Sequence, residues 1–319
     1  MTDQTVFTSP PAISTPPGPL ARLRAGAWQG WGLALLTTFS FSTMPPVIKT
    51  ALNFGIDPPQ LLSLRYLLAA LLLVGTIAII SPRSLRADRK LIFFASIGGL
   101  GYAGAVLLYA YSLTRLNASV ASMTFSMYPL LVLGVLAFMG EKFTYRNIFR
   151  LALGLAGVYL LIGPGGHVDP VGILLVMGAM SAMTVYLFTV QWRLGTYDTL
   201  TVAVYMVTTM AVAISLVWLI QGAVWVDPGW GGWLAVGWMA VIGTYLAQLT
   251  MVTSVRLIGG GQVALLNPLE TFLTVIWSVL FLAEYLTPVQ WVGGGLILFS
   301  ALLAIRRLRR ARVVNIQGG

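Results

Sequence analysis

The chain has 319 residues, of which 58% are hydrophobic and only 9% charged, and it carries a net charge of +10. Charged residues make up about 25% of a soluble domain, so this composition excludes a soluble globular protein. With no cysteine and one histidine, His167, it also excludes disulfides, thiolate chemistry and a histidine metal cluster, and it calls for no cofactor.

The hydrophobic residues fall in repeated blocks near helical span length. The expected fold class is therefore an all-α integral membrane protein, and the alternating strand segments of an outer-membrane barrel are missing. Basic residues flank the apolar blocks, so the positive charge reads as topology and contact with anionic lipid rather than nucleic-acid binding.

Residues 1–26 are rich in Pro, Thr and Ser, including Pro10-Pro11 and Pro16-Pro17. They predict a disordered cytoplasmic tail, since a signal peptide would need an apolar core behind a basic start. Ten spans follow, at 27–50, 59–80, 91–114, 118–139, 145–162, 171–192, 199–220, 230–255, 260–283 and 289–305. Short connections make sequential helices antiparallel neighbours. Residues 306–319 form a basic tail suited to anionic lipid, with Arg306, Arg307, Arg309, Arg310 and Arg312.

Orientation follows from Lys and Arg. With the N-terminus inside, the inner segments hold Arg22, Arg24, Arg83, Arg86, Arg89, Lys90, Lys142, Arg146, Arg193, Arg256 and the tail arginines, whereas the outer ones hold Lys49 and Arg115. This asymmetry predicts both termini on the cytoplasmic side of a bacterial inner membrane. Arg65 and Arg150 lie near span ends and are expected to snorkel. Trp225, Trp230 and Trp233 flank an outer loop and read as an interfacial belt.

The chain repeats itself. Glu141-Lys142-Phe143-Thr144 closes span four and Glu284-Tyr285-Leu286-Thr287 closes span nine. In the same register Val120-Ala121 meets Val263-Ala264 and Tyr102 meets Tyr245, while Asp57-Pro58 and Asp198-Thr199 open the second span of each half. The expected units are residues 27–163 and 170–305, with five spans each. An odd span number inverts the second unit, giving inverted-topology repeats with a site near the midplane between them.

The most informative stretch runs through span nine, where Asn267, Pro268 and Glu270 fall inside an apolar run. Pro268 is expected to kink that helix, because it donates no N–H and crowds the carbonyl of Ala264. A carboxylate deep in a bilayer is costly and marks function by default. Further substrate-path candidates are polar or aromatic groups deep in other spans. Tyr102 and Tyr109 in span three are seven apart and share a helical face. So do Trp238 and Tyr245 in span eight, with Gln248 about a turn on. Ser42 precedes the break at Pro45-Pro46, Tyr128 precedes Pro129, and Tyr186 lies in span six. Ring faces accept apolar groups or cations while hydroxyls orient the remainder.

Gly259-Gly260-Gly261 lacks the Lys-Ser/Thr of a phosphate loop, so no nucleotide site is expected. Gly154, Gly157 and Gly293-Gly294-Gly295 read as close-packing surfaces, and their outward placement in spans five and ten would also allow a homodimer.

The two halves, their terminal Glu-x-x-Thr, the Arg65-Tyr66-Leu67-Leu68-Ala69 start of span two and Lys49 late in span one together resemble the drug/metabolite transporter superfamily, in its EamA-type ten-helix exporters. The resemblance covers residues 27–305. In that family an acid of span nine is commonly followed by proline, whereas here Thr271 follows Glu270 and the proline precedes it. The resemblance implies a central cavity lined by spans one, three, four, six, eight and nine, and export of amino acids or other small metabolites. An alternating-access exporter is thus the expected function, gated at Pro45, Pro46, Pro129 and Pro268. Uptake or facilitated diffusion of another metabolite is the nearest rival. A membrane enzyme or a scaffold lacks its clustered catalytic groups or its soluble domain. With no basic residue near the midplane, anionic sugar phosphates are disfavoured as cargo.

Overall fold

The computed structural model of the chain describes residues 19–80, 82, 88–138, 145–162, 168–194, 197–258, 263, 266–300 and 303, and these form helices and turns. Helix is the expected outcome in lipid, where each backbone N–H and C=O must find its partner within the segment. Helices α1 (Pro19–Ser42) and α2 (Met44–Asn53) cover the first expected span and are parted at Thr43. Helices α3 (Pro58–Ile80) and α4 (Arg89–Leu113) are continuous. The fourth expected span is split into α5 (Ala118–Phe125) and α6 (Tyr128–Phe138). Next come α7 (Tyr145–Ile162) and α8 (Pro170–Thr189), which runs into a π-helical turn, Val190–Leu194. After α9 (Thr199–Ile220), helices α10 (Gly229–Ala240) and α11 (Ala247–Ile258) join through a second π-helical turn, Val241–Leu246. Helix α12 (Asn267–Leu282) is followed by α13 over residues 288–300.

Five of the described helices are long and apolar enough to cross a membrane: Pro58–Ile79, Arg89–Leu113, Pro170–Thr189, Leu200–Ile220 and Gly229–Met251. Ala118–Val132 and Asn267–Leu282 are apolar but shorter.

The prolines expected to kink helices instead begin them. Pro45 and Pro46 sit in the first turn of α2, Pro129 is the second residue of α6 and Pro268 the second of α12. A first-turn proline forfeits no hydrogen bond, because those N–H groups have no partner within the helix anyway. Pro268 thus stands in the first turn of α12, while Ala264, whose carbonyl it is expected to crowd, lies outside the described residues. Glu270 therefore stands in a first turn. Other helix starts are capped by acids. Asp169 accepts from Val171 N at 2.8 Å, and Asp198 accepts from Thr201 N at 3.2 Å.

Lipid tails are as apolar as the helices, so small residues and close van der Waals contact drive helix association. Helix α4 lies against α8 and α9. A Cβ at Gly99 would come within 2.8 Å of Thr209 Cβ, and one at Gly101 within 3.4 Å of the Ala182 carbonyl oxygen. Helix α1 lies as closely on α11, where Gly30 faces Ile258 and Thr37 Oγ1 meets Thr250 Oγ1 at 2.8 Å. Gly154, Gly157 and Gly294 are close-packing positions as expected, but their neighbours are in the same chain. Gly157 faces the Gly293 carbonyl oxygen and Ile297 of α13, Gly154 faces Leu130 and Met127, and Gly294 faces Met123. Gly295 has open space instead.

Where α2 ends and α3 begins, the buried amide of Gln60 bonds both backbone groups of Val226, donating to its carbonyl at 2.7 Å and accepting from its N–H at 3.0 Å. Trp218, Trp225 and Trp233 cluster at this end with ring centroids 6.1 and 6.3 Å apart, and Trp225, Trp230 and Trp233 are exposed, as a belt requires. Glu141-Lys142-Phe143-Thr144, His167, Gly259-Gly260-Gly261 and the arginines from Arg306 to Arg312 lie outside the described residues.

Candidate functional site

Two helix starts meet deep in the bundle. Asn267, first residue of α12, donates from Nδ2 to the hydroxyl of Tyr128, first residue of α6. One turn on from Asn267 stands Glu270. Its backbone carbonyl accepts from Thr274 Oγ1 at 3.0 Å, but its carboxylate accepts no hydrogen bond among the described residues, and the residue is half-buried. The first turn is where the unpaired N–H groups of a helix favour negative charge, so α12 itself helps to hold a carboxylate there. That carboxylate lies within electrostatic reach of the hydroxyls of Tyr102, Tyr109 and Tyr128.

Aromatic rings extend from this point across four helices. Tyr128 of α6 lies 5.8 Å from Phe125 of α5, which meets Tyr109 of α4 edge-on at 5.3 Å. Further along α4, Tyr102 stacks on Tyr186 of α8 with centroids 4.7 Å apart and planes 24° from parallel. Glu270, Asn267, Tyr128, Tyr109, Tyr102 and Tyr186 thus form one neighbourhood, drawn from helices of both halves.

The remaining candidates are placed differently. Ser42 is fully buried and acts as a fastener. Its hydroxyl donates to the Phe39 carbonyl at 2.8 Å and accepts from Trp277 Nε1 at 3.1 Å, while its carbonyl accepts from Thr274 Oγ1 at 3.0 Å. These bonds tie the break between α1 and α2 to α12. The expectation that Trp238 and Tyr245 share a face fails, because the π-helical turn adds a residue to the turn between them and rotates the later side chain away. Trp238 Nε1 donates to Thr43 Oγ1 at 3.1 Å, at the same break. Tyr245 instead faces α3, where its hydroxyl pairs with Thr76 Oγ1 at 2.9 Å. Gln248, one residue into α11, is half-buried.

Sequence reasoning missed Arg65. Rather than snorkelling, it is only 6% exposed. Its Nε donates to Thr244 Oγ1 at 3.0 Å and its Nη2 to the Gly243 carbonyl at 3.4 Å, both within the π-helical turn. A π turn releases a carbonyl from the helical ladder, and the guanidinium occupies it. Arg65 Cζ lies 4.8 Å from the Tyr66 ring centroid. The clue was available: the residue falls inside an apolar span, where an ionisable group defaults to function.

The Glu-x-x-Thr motif of the ninth span also gains a physical role. Glu284 is 8% exposed and caps the start of α5, accepting from Ala118 N at 2.6 Å, Ser119 N at 3.0 Å and Ser119 Oγ at 2.5 Å. Lys49 of α2 seals the adjoining end of α4, donating to the carbonyls of Leu113 at 2.5 Å and Leu116 at 2.9 Å. Nearby, Arg115 Nη1 lies 2.8 Å from Asp169 Oδ2 and holds that carboxyl below its ordinary range. Among the described residues no group of three or more His, Asp or Glu side chains is placed to hold a metal.

Comparison with known proteins gives a consistent answer. The EamA-like transporter family matches residues 28–163 and again residues 170–306. An "Uncharacterized transporter YvbV" of Bacillus subtilis is 25% identical over 287 residues, covering 84% of this chain and 88% of its own. A Streptantibioticus cattleyicolor protein described as "Probable terminal-alkyne amino-acid exporter" is 25% identical over 303 residues, covering 90% and 97%. An "Uncharacterized transporter" of Archaeoglobus fulgidus is 23% identical over 221 residues, covering 69% and 78%. A crystal structure superposes with a TM-score of 0.60 at 21% identity, over 90% of this chain and 99% of that one, and shows a common fold.

Proposed function

Because the chain belongs to the EamA-like transporter family across both of its halves, we propose that it is a secondary transporter exporting amino acids or related amines by alternating access. The family's members are transporters and not enzymes, and this chain is a multi-pass membrane protein of that kind. The observation that carries the proposal is Glu270: an acid in the first turn of an interrupted helix, among tyrosines, with no hydrogen bond to its carboxylate among the described residues. In a transporter such a carboxylate serves a cationic group of the cargo, or a proton exchanged for it. The exporter name of one distant relative supports amino acids as the cargo.

The proposed architecture has ten spans in two inverted repeats of five, over residues 27–163 and 170–305. The helix contacts support it. Shifting every span by five turns the contact of α4 with α8 into that of α11 with α1, and the α3–α9 and α5–α12 contacts into themselves. The Lys and Arg asymmetry supports cytoplasmic termini in a bacterial inner membrane. In this orientation the Glu284 cap and Lys49 close the outer end. The helix starts at Pro45, Pro46, Pro129 and Pro268 are the joints about which half-helices move.

The test is counterflow of radiolabelled amino acids in proteoliposomes, with unlabelled competitors and with Glu270→Gln alongside. Exchange that a defined subset of amino acids competes for, and that the variant loses, is the expected result. Wild-type rates in a correctly folded Glu270→Gln protein would remove Glu270 from the path.

A further inference from the structure

We propose that Thr274 is a positioning residue of the transport cycle: a latch with two acceptors that couples the helix carrying Glu270 to the break in the first span. The inference rests on the transport reading above and adds the joint through which the site acts on the fold. The break between α1 and α2 is a shortage of donors. Thr43 keeps near-helical angles, φ −78° and ψ −16°, so the chain does not turn away there. In an uninterrupted helix residue 46 would donate its N–H to the Ser42 carbonyl, and Pro46 has no N–H. Ser42 is fully buried, where a carbonyl without a donor is destabilising.

The missing donor comes from the other half of the chain. Thr274 of α12 is buried, and its Oγ1 lies 3.0 Å from the Ser42 carbonyl oxygen. The same Oγ1 lies 3.0 Å from the carbonyl oxygen of Glu270, one turn back. A hydroxyl has a single proton to donate. Donated to Ser42, it joins the two helices; donated to Glu270, it turns back on its own helix and releases the break. The acceptors are equally distant, so a small shift of the first turn of α12 decides between them. Glu270 belongs to that turn, and a group bound at its carboxylate moves the competing carbonyl with it. This is the two-state element that coupling between a site and a distant joint requires. The neighbouring contacts seat the break. Trp277 Nε1 donates to Ser42 Oγ at 3.1 Å, and its ring meets Phe39 edge-on with centroids 5.5 Å apart. From α10, Trp238 Nε1 donates to Thr43 Oγ1 at 3.1 Å, and Gly243 of the π-helical turn leaves no room for a Cβ beside Met44 Sδ. Of these three donors, Thr274 has a second acceptor within reach. It can therefore let go of the break without losing its hydrogen bond.

The chain has no cysteine, so Asn53→Cys and Tyr285→Cys place a single pair of spin labels. Both positions are exposed, one at the far end of α2 and one just beyond α12. The distance between the labels is measured in proteoliposomes by double electron–electron resonance, and amino-acid counterflow is measured on the same variants. Thr274→Val keeps the shape and loses the donor. It is expected to raise the population of a second, unlatched distance about fivefold, which is about 1 kcal/mol, and to slow exchange. Thr274→Ser keeps the hydroxyl and should restore both. Pro46→Ala supplies the absent N–H, so Thr274→Val should have little further effect in that background, a suppression that a packing role for Thr274 would not produce. Trp277→Phe loses its donor and keeps a ring against Phe39. It should shift the distances in the same direction, and it serves where Thr274→Val does not fold. Wild-type distances in Thr274→Val, or failing that in Trp277→Phe, overturn the latch, and so does an undiminished effect of Thr274→Val beside Pro46→Ala. Shifted distances with wild-type exchange overturn its part in transport. Distances that respond as expected in a protein that exchanges no amino acid would support the joint and overturn amino acids as the cargo.

Discussion

The helix that begins at Asn267 has an acid near each end, and the two are treated oppositely. Glu284, just beyond its last turn, accepts three hydrogen bonds from Ala118 and Ser119. Glu270, in its first turn, accepts none to its carboxylate among the described residues. Both are acids at the ends of one helix, Glu284 buried and Glu270 half-buried, so charge alone does not distinguish them. What distinguishes them is whether the protein supplies the donors. A carboxylate met by backbone N–H groups at a helix start is part of the scaffold. One left unmet beside hydroxyls and ring faces is, on the function proposed above, open to a group of the cargo.

Four experiments break or sharpen that contrast. Glu270→Gln should have the largest effect on transport and little on folding. Exchange should fall on the order of tenfold or more, the factor that about 1.4 kcal/mol of lost binding produces, while thermal unfolding in detergent stays near wild type. Glu284→Ala should show the reverse emphasis. It strands the N–H groups of Ala118 and Ser119, each stranded group costing about 1–3 kcal/mol, so the melting temperature should fall clearly. Glu284→Gln keeps an acceptor and should fall less. If Glu284→Ala melts as the wild type does, the cap is not structural. Tyr128→Phe removes the partner of Asn267, a bond worth about 1 kcal/mol. It should reduce both exchange and stability modestly, and its effect should shrink when Asn267 is already Ala. An undiminished effect in the double variant would mean that the two helix starts do not communicate through this bond.

The smallest effect is expected at the exposed Arg115–Asp169 pair. Its sign is fixed. Arg115 lowers the pKa of Asp169 in the folded protein, so any stabilisation is present above the unfolded carboxyl range and is lost as pH falls through the lower folded value. Asp169→Asn should leave exchange and melting at neutral pH within measurement error and remove only this acid-side sensitivity. A large drop in melting at neutral pH would show the pair to be more than a surface contact.

Much of the fold could be read from the sequence, because lipid imposes simple rules. Long apolar runs became helices near the expected bounds, with α2 and α6 each beginning one residue before a proline. The repeated Glu-x-x-Thr pointed to Glu284, though its three donors come from a helix 165 residues earlier, beyond the reach of any local pattern. Two kinds of information were not local. Whether a proline bends a helix or begins one depends on where the preceding turn stops, which at Pro268 the apolar run concealed. Whether residues seven apart share a face depends on every turn between them being α, and the π turn at Val241–Leu246 carries no sequence mark that would separate Trp238 from Tyr245. The same turn hid Arg65. Its acceptors, Thr244 and Gly243, exist as such only because that turn does. The neighbourhood around Glu270 was more legible than its wiring: Tyr102, Tyr109, Tyr128, Tyr186 and Asn267 were all candidates from type and depth alone.

The link between Gln60 and Val226 has a consequence for biogenesis. Both hydrogen bonds span 166 residues of chain, so at typical synthesis rates Gln60 emerges roughly ten to thirty seconds before its partner exists. A primary amide facing hydrocarbon for that long would be penalised. The start of α3 must therefore wait at the headgroup level, where water serves the amide, and settle once the loop after α9 has been made. Insertion of the early helices and consolidation of this end are separate events, and a ribosome stalled before Val226 would hold the nascent protein between them.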